Sequence, residues 1–194
     1  MCVDGGSPLE KPGDWSATLE WLVRRLAPRL PGLGFVEVRY RIKSWVRLDD
    51  CIEDAQAGIA AALDGGAREL ALLGFSFGGG ISTLIAGHPS VTTVIGLAPL
   101  LPADIDLSGV EGRRVALIHG GLDRPFLGIP GVRPELTLRC YRRMLERGVD
   151  ATYTRIPGAV HGVALRAPGG GMVALPRARR WLDAVAAELE RFAQ

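Results

Sequence analysis

The stretch that most constrains this chain runs from Leu70 to Ala86. Leu70-Ala71-Leu72-Leu73 is an apolar run that reads as a buried strand, and Ile81 to Ala86 reads as a helix. Between them stands Gly74-Phe75-Ser76-Phe77-Gly78, a serine at the centre of a turn with a glycine two residues away on either side. A strand that turns abruptly into a helix brings backbone close on both sides of the central residue, and only small residues fit at the flanking positions. The serine then stands at the carboxyl end of a central strand with a helix N-terminus behind it. That end offers unpaired N–H groups and a positive dipole to any oxyanion forming there.

The rest of the chain alternates in the same manner. Met1 to Asp4 reads as a very short strand entering the turn Asp4-Gly5-Gly6-Ser7. Asp14 is placed to cap a helix on which Trp15, Leu19, Leu22 and Leu26 recur at helical spacing, with Pro28 ending the pattern. Phe35 to Tyr40 is strand-like, and a solvated basic loop with Lys43, Ser44 and Trp45 follows. The next helix aligns Leu48, Ile52, Ala55, Ile59 and Leu63 and stops at Gly65-Gly66. Beyond the serine turn come strands at Val91 to Leu97 and Val115 to His119, joined by a connector too short for an inserted domain. A helix from about Pro134 to Arg147, a strand around Ala151 to Ile156 and a final helix from about Pro176 complete the chain. This order predicts an α/β fold, a three-layer α/β/α sandwich on a mostly parallel sheet of about six strands. One domain covering residues 1–194 is expected. In such sheets, sites form at the carboxyl ends of strands.

Composition excludes little beyond this. Hydrophobic residues make up 47% and charged residues 23%, as in ordinary globular proteins, and the net charge of +2 makes no case for nucleic-acid binding. The arginines are dispersed, and Lys11 and Lys43 are the only lysines. Cys2, Cys51 and Cys140 are far apart and outside any metal-ligand spacing, so they read as free thiols of a reducing compartment, the latter two as packing residues. Neither a signal peptide nor a membrane-spanning apolar run is present, and the cytoplasm is the expected location. Neither a metal nor an organic cofactor is expected, and no nucleic-acid or membrane partner. The oligomeric state is not readable, and a homodimer stays open.

A serine hydroxyl becomes a useful nucleophile when a base removes its proton and a third group orients that base. Both partners stand at strand ends downstream. His119-Gly120-Gly121-Leu122-Asp123-Arg124-Pro125 puts Asp123 just past one strand, and Gly158-Ala159-Val160-His161 puts His161 just past the next. Each has a plainer reading. The serine can cap its helix, the aspartate can be a turn residue, and the histidine can be a packing residue. His119 reads as a structural strand-end residue and His88 as a cation at a helix C-terminus.

Taken together, the Gly-x-Ser-x-Gly turn, the His-Gly-x-x-Asp-x-Pro strand end and the late Gly-x-x-His resemble a small, lidless α/β-hydrolase of the esterase and dienelactone-hydrolase-like kind. The resemblance runs from Asp4 onward. It implies an α/β-hydrolase fold that lacks the usual first strands, with Ser76 as nucleophile, His161 as general base and acid, and Asp123 as orienting carboxylate. It further implies an oxyanion hole from the backbone N–H groups of Phe77 and Gly6. The family commonly has His-Gly where Asp4-Gly5 stands here, and often a histidine where Phe75 stands. Asp4 is expected to turn away from the hole into local hydrogen bonds. The pocket is expected from loops carrying Phe75, Trp45 and Phe126, with residues 163–172 as a flexible third loop. The implied activity is hydrolysis of a small to medium carboxylic ester or thioester through an acyl-enzyme. Acyl transfer by the same triad and a non-catalytic binding role are the alternatives.

Overall fold

The computed structural model describes residues 1–125 and 131–194. In chain order its elements are β1 (Cys2–Val3), β2 (Lys11–Pro12), α1 (Ala17–Leu26), β3 (Glu37–Val38), β4 (Ile42–Lys43), α2 (Leu48–Asp64), β5 (Leu70–Phe75), α3 (Phe77–Ile85), β6 (Val91–Leu97) and β7 (Arg114–Gly120). These are followed by α4 (Pro134–Glu146), β8 (Asp150–Ile156), β9 (Ala164–Arg166), β10 (Met172–Ala174) and α5 (Ala178–Phe192). Six strands form one parallel sheet in the order β3-β1-β5-β6-β7-β8.

The period of two along the central strands sorts their side chains between two cores. Leu72, Val94 and Leu117 face one core, closed by Cys51, Ala55 and Ile59 of α2, Ile81 and Ile85 of α3, and Met144 of α4. Leu73, Ile95 and Ile118 face the other, closed by Leu19, Leu22 and Leu26 of α1 and Trp181, Val185 and Leu189 of α5. The three-layer α/β/α sandwich expected from the sequence is therefore present. Strand order reverses between β1 and β5, since the chain leaves β1 for β3 on one side and builds β5 to β8 on the other. A crevice opens at such a point, at the carboxyl ends of the two strands. Val3 pairs with Gly74, which brings the turn after β1 alongside Phe75 and Ser76.

Several local expectations need correction. Ser16, rather than Asp14, caps α1, its hydroxyl accepting the Thr18 N–H at 3.1 Å. Trp15 precedes the helix and is half exposed. The strand expected over Phe35 to Tyr40 is limited to Glu37–Val38, because β1 beside it offers only Cys2 and Val3 as ladder partners. Leu48 is partly exposed, and the buried stripe of α2 is Cys51, Ala55, Ile59 and Ala62. His88 follows α3, and its Nδ1 accepts the Ser90 N–H at 3.2 Å. Residues 163–172 are not a plain loop but carry the β9–β10 hairpin. That hairpin is anchored on α1, where the Thr18 hydroxyl oxygen accepts the Val163 N–H at 3.0 Å.

Lys43 is the largest departure. Instead of lying in a solvated loop it is in β4, paired with β2, and its side chain is 8% exposed. Its ammonium bonds to Asp4 Oδ2 and, at 3.0 Å, to Asp14 Oδ1. Burial works against the ammonium, but the two carboxylates outweigh it and hold the Lys43 pKa above its ordinary value.

Candidate active site

Each candidate side chain is held by backbone rather than by its own contacts alone. Ser76 follows β5 and precedes α3 at φ 53°, ψ −116°, a region that residues with a Cβ seldom occupy. Three backbone bonds hold it there: its N–H donates to Leu97 O at 2.9 Å, and its carbonyl accepts from Gly79 N and Leu100 N. The flanking glycines are needed for space. A Cβ on Gly78 would lie 2.2 Å from Val3 O, and one on Gly74 would lie 2.5 Å from Gly78 O. The loops after β7 and β8 are bonded to each other, Gly121 N to Ile156 O and Leu122 N to Ala159 O, both at 2.8 Å. Asp123 and His161 are thereby brought to the same end of the sheet as Ser76.

The resulting contacts form a chain. His161 Nε2 lies 3.1 Å from Ser76 Oγ, and His161 Nδ1 lies 2.7 Å from Asp123 Oδ2. Asp123 is fully buried and accepts the Val132 N–H at 3.0 Å on Oδ1. Burial by itself would push its carboxyl up. Hydrogen bonds from His119 and His161 outweigh that and hold it below the ordinary aspartate value. The Nδ1 contact with a carboxylate directs the imidazole lone pair at Nε2 toward the serine hydroxyl. This arrangement can pass a proton from Ser76 to His161.

The other expected site residues gather round this chain. Phe75 lies against His161, ring centroids 5.0 Å apart. Phe77 is the first residue of α3, so its N–H has no acceptor within the helix. Gly6 is beside it: a Cβ at Gly6 would fall 3.0 Å from Phe77 Cδ1 and 2.2 Å from Trp45 Cδ1. The Trp45 indole therefore covers the Gly6 backbone, with 40% of the residue exposed. Asp4 is buried and turned into its own turn, Oδ1 accepting the Gly5 N–H at 2.7 Å, in keeping with expectation. Phe126 lies outside the described residues. Among the described residues, no group of three or more His, Cys, Asp and Glu side chains is placed to hold a metal ion. No described helix is long and apolar enough to cross a membrane.

No family model matches this chain, and no curated protein matches it. Solved structures do. An alpha-beta serine hydrolase homologue from Coxiella burnetii is 18% identical, with a TM-score of 0.66 over 97% of this chain and 83% of that one. The fold is that of the α/β-hydrolases. A sugar hydrolase from Lactococcus lactis is similar to the same degree, 18% identical with a TM-score of 0.65 over 98% of this chain and 87% of that one. Esterase PE8 is 19% identical, with a TM-score of 0.52 over 74% of this chain. This chain spans only 61% of the PE8 chain, less than two thirds of its length. At these identities the likeness is one of fold, and an α/β-hydrolase fold hosts many functions, so function rests on the site.

Two residues that the sequence places in a solvated loop and at a structural strand end, Lys43 and His119, lie beside this site instead. Lys43 neutralises Asp4 at the turn carrying Gly6, and nothing local in the sequence pairs residues so far apart. His119 is fully buried, with Nε2 3.0 Å from Asp123 Oδ2. Its signal was present in the four-residue spacing to Asp123 across a strand end, which brings the two side chains back together.

Proposed function

We propose that this chain is a serine esterase that hydrolyses small to medium carboxylic esters or thioesters, with Ser76, His161 and Asp123 as its triad. The observation that carries the reading is the continuous hydrogen-bonded series from Ser76 Oγ through His161 to the buried Asp123 carboxylate. Ser76 Oγ attacks the acyl carbon while His161 Nε2 takes its proton. Asp123 stabilises the imidazolium and keeps the ring in one orientation. The oxyanion is received by the N–H groups of Phe77 and Gly6. His161 then protonates the departing alcohol or thiol, leaving the acyl group on Ser76. Water, deprotonated by His161, attacks that ester, and the acid leaves as Ser76 recovers its proton. Phe75 and Trp45 supply apolar walls to an open site.

Turnover of a short-chain p-nitrophenyl ester panel and labelling by a fluorophosphonate test this reading. Ser76→Ala is expected to lower kcat by on the order of 10⁴–10⁶-fold and to abolish labelling with the fold retained by circular dichroism. A folded wild type that neither labels nor turns over any ester of the panel sinks it. The oxyanion assignment has its own pair of variants. Gly6→Ala displaces the Trp45 indole but keeps the N–H, whereas Gly6→Pro also removes it. The proline variant should be slower in kcat by roughly a further 100-fold or more. Equal rates for the two would remove Gly6 from the hole.

A further inference from the structure

We propose that His119 is a positioning residue for the triad: a second imidazole that shares one carboxylate oxygen with His161 and fixes its direction. The inference rests on the triad reading above. His119 Nε2 lies 3.0 Å from Asp123 Oδ2 and 2.9 Å from Val132 O. Both neighbours are acceptors, so this nitrogen carries the proton and donates to them. The other ring nitrogen, Nδ1, lies 2.8 Å from Thr137 Oγ1 in the first turn of α4. The same hydroxyl also lies 3.4 Å from the carbonyl oxygen of Pro99, in the turn after β6. His119 thus donates to Asp123 through Nε2 and pairs with Thr137 through Nδ1, and every polar atom of the fully buried ring has a partner.

The consequence concerns Asp123. Its Oδ1 is held by the Val132 N–H. Its Oδ2 accepts from His161 Nδ1 at 2.7 Å and from His119 at 3.0 Å. Val132 N and O both take part, one to each side of the Asp123–His119 pair, so the segment after the β7 loop clamps them together. With the two oxygens pinned by donors from separate directions, the carboxylate has one orientation, the one that faces His161. Without His119, the direction of Oδ2 would depend on His161, the very side chain it is meant to hold. The series Thr137, His119, Asp123, His161, Ser76 also ties the start of α4 to the site. No other titratable group is hydrogen-bonded to His119 among the described residues.

The test compares His119→Leu, which removes the donor at similar volume, with His119→Gln, whose amide nitrogen can occupy the Nε2 position and donate. Thr137→Val, which removes the Nδ1 partner, is the third variant. For each, kcat and KM are measured on one p-nitrophenyl ester, with thermal melts and fluorophosphonate labelling rates alongside. His119→Leu is expected to lose about 10- to 100-fold in kcat with KM within about twofold, because the hydrogen bond to a buried charge is lost while ester contacts remain. His119→Gln should recover most of that loss, and Thr137→Val should cost several-fold. Wild-type kcat in His119→Leu, or an equal loss in Leu and Gln variants of equal stability, overturns the proposal. Should His119→Leu fail to fold, the remaining pair decides: near wild-type kcat for Gln with a several-fold loss for Val supports it, and equal rates overturn it. Ser76→Ala, run in parallel, separates the two readings. If it keeps turnover the triad itself falls, and if it is inert while His119→Leu is unimpaired only the positioning role falls.

Discussion

Ser76 holds a backbone conformation, φ 53°, that a serine would not adopt unaided. Residues kept in such regions cost about 1–3 kcal/mol each and persist where surrounding structure imposes them. Here the bonds to Leu97, Gly79 and Leu100 impose it. Ser76→Gly should therefore stabilise the fold while abolishing ester turnover. Relief of strain is offset by about 0.4–1 kcal/mol of added freedom in the unfolded chain, leaving a net gain of about 1 kcal/mol. A differential melt reads this as a rise of about 2–4 °C in Tm, and no rise would mean that the turn carries no strain. The glycine spacing around Ser76 was legible because it reports a short-range steric need. The partners of Asp4 were not, since its neutralising ammonium comes from Lys43, far along the chain.

At the scale of elements, α3 shows how packing overrides local preference. It opens Phe77-Gly78-Gly79-Gly80, and each glycine disfavours a helix by about 1 kcal/mol relative to alanine. Those positions have no room for alanine: a Cβ on Gly79 would meet Pro99 Cβ at 2.5 Å, and one on Gly80 would meet Leu100 O at 2.6 Å. A helix pressed this closely against β1 and the turn after β6 gains from contact what it loses in propensity. The Lys43 cluster is likewise an element-scale device, joining β4, the end of β1 and the segment before α1. Lys43→Met should destabilise by about 3–5 kcal/mol in urea denaturation, because it leaves the Asp4 carboxylate buried without its counter-charge. Asp4→Asn should cost less, since Lys43 keeps Asp14, and adding Asp4→Asn to Lys43→Met should restore part of the loss. A Lys43→Met variant as stable as wild type would show the cluster to be dispensable.

Over the whole molecule, the two cores on either face of the sheet leave the thiols inside. Cys2, Cys51 and Cys140 are all buried, and burial pushes the Cys2 thiol up to about 11. A water-soluble aromatic disulfide should leave all three unmodified in native buffer at pH 8 and react with them together on unfolding. Fast reaction of any one in the native state would contradict the packing at that position. The same architecture explains where the candidate site lies. The order reversal between β1 and β5 opens one end of the sheet, and the loops after β7 and β8 reach that end because parallel strands all finish there.

What the sequence determined by itself was the alternation of strands and helices, the tight serine turn, and the order of serine, aspartate and histidine at strand ends. These follow from patterns a few residues long: apolar periodicity, glycine where backbone crowds, polar residues where strands stop. Only the tertiary structure decided that Lys43 is buried against Asp4, that residues 163–172 carry a hairpin anchored on Thr18, and that His119 shares Asp123 with His161. Each of these depends on which strand ends lie side by side, and strand adjacency is set by the packing of the whole sheet rather than by any local run of residues.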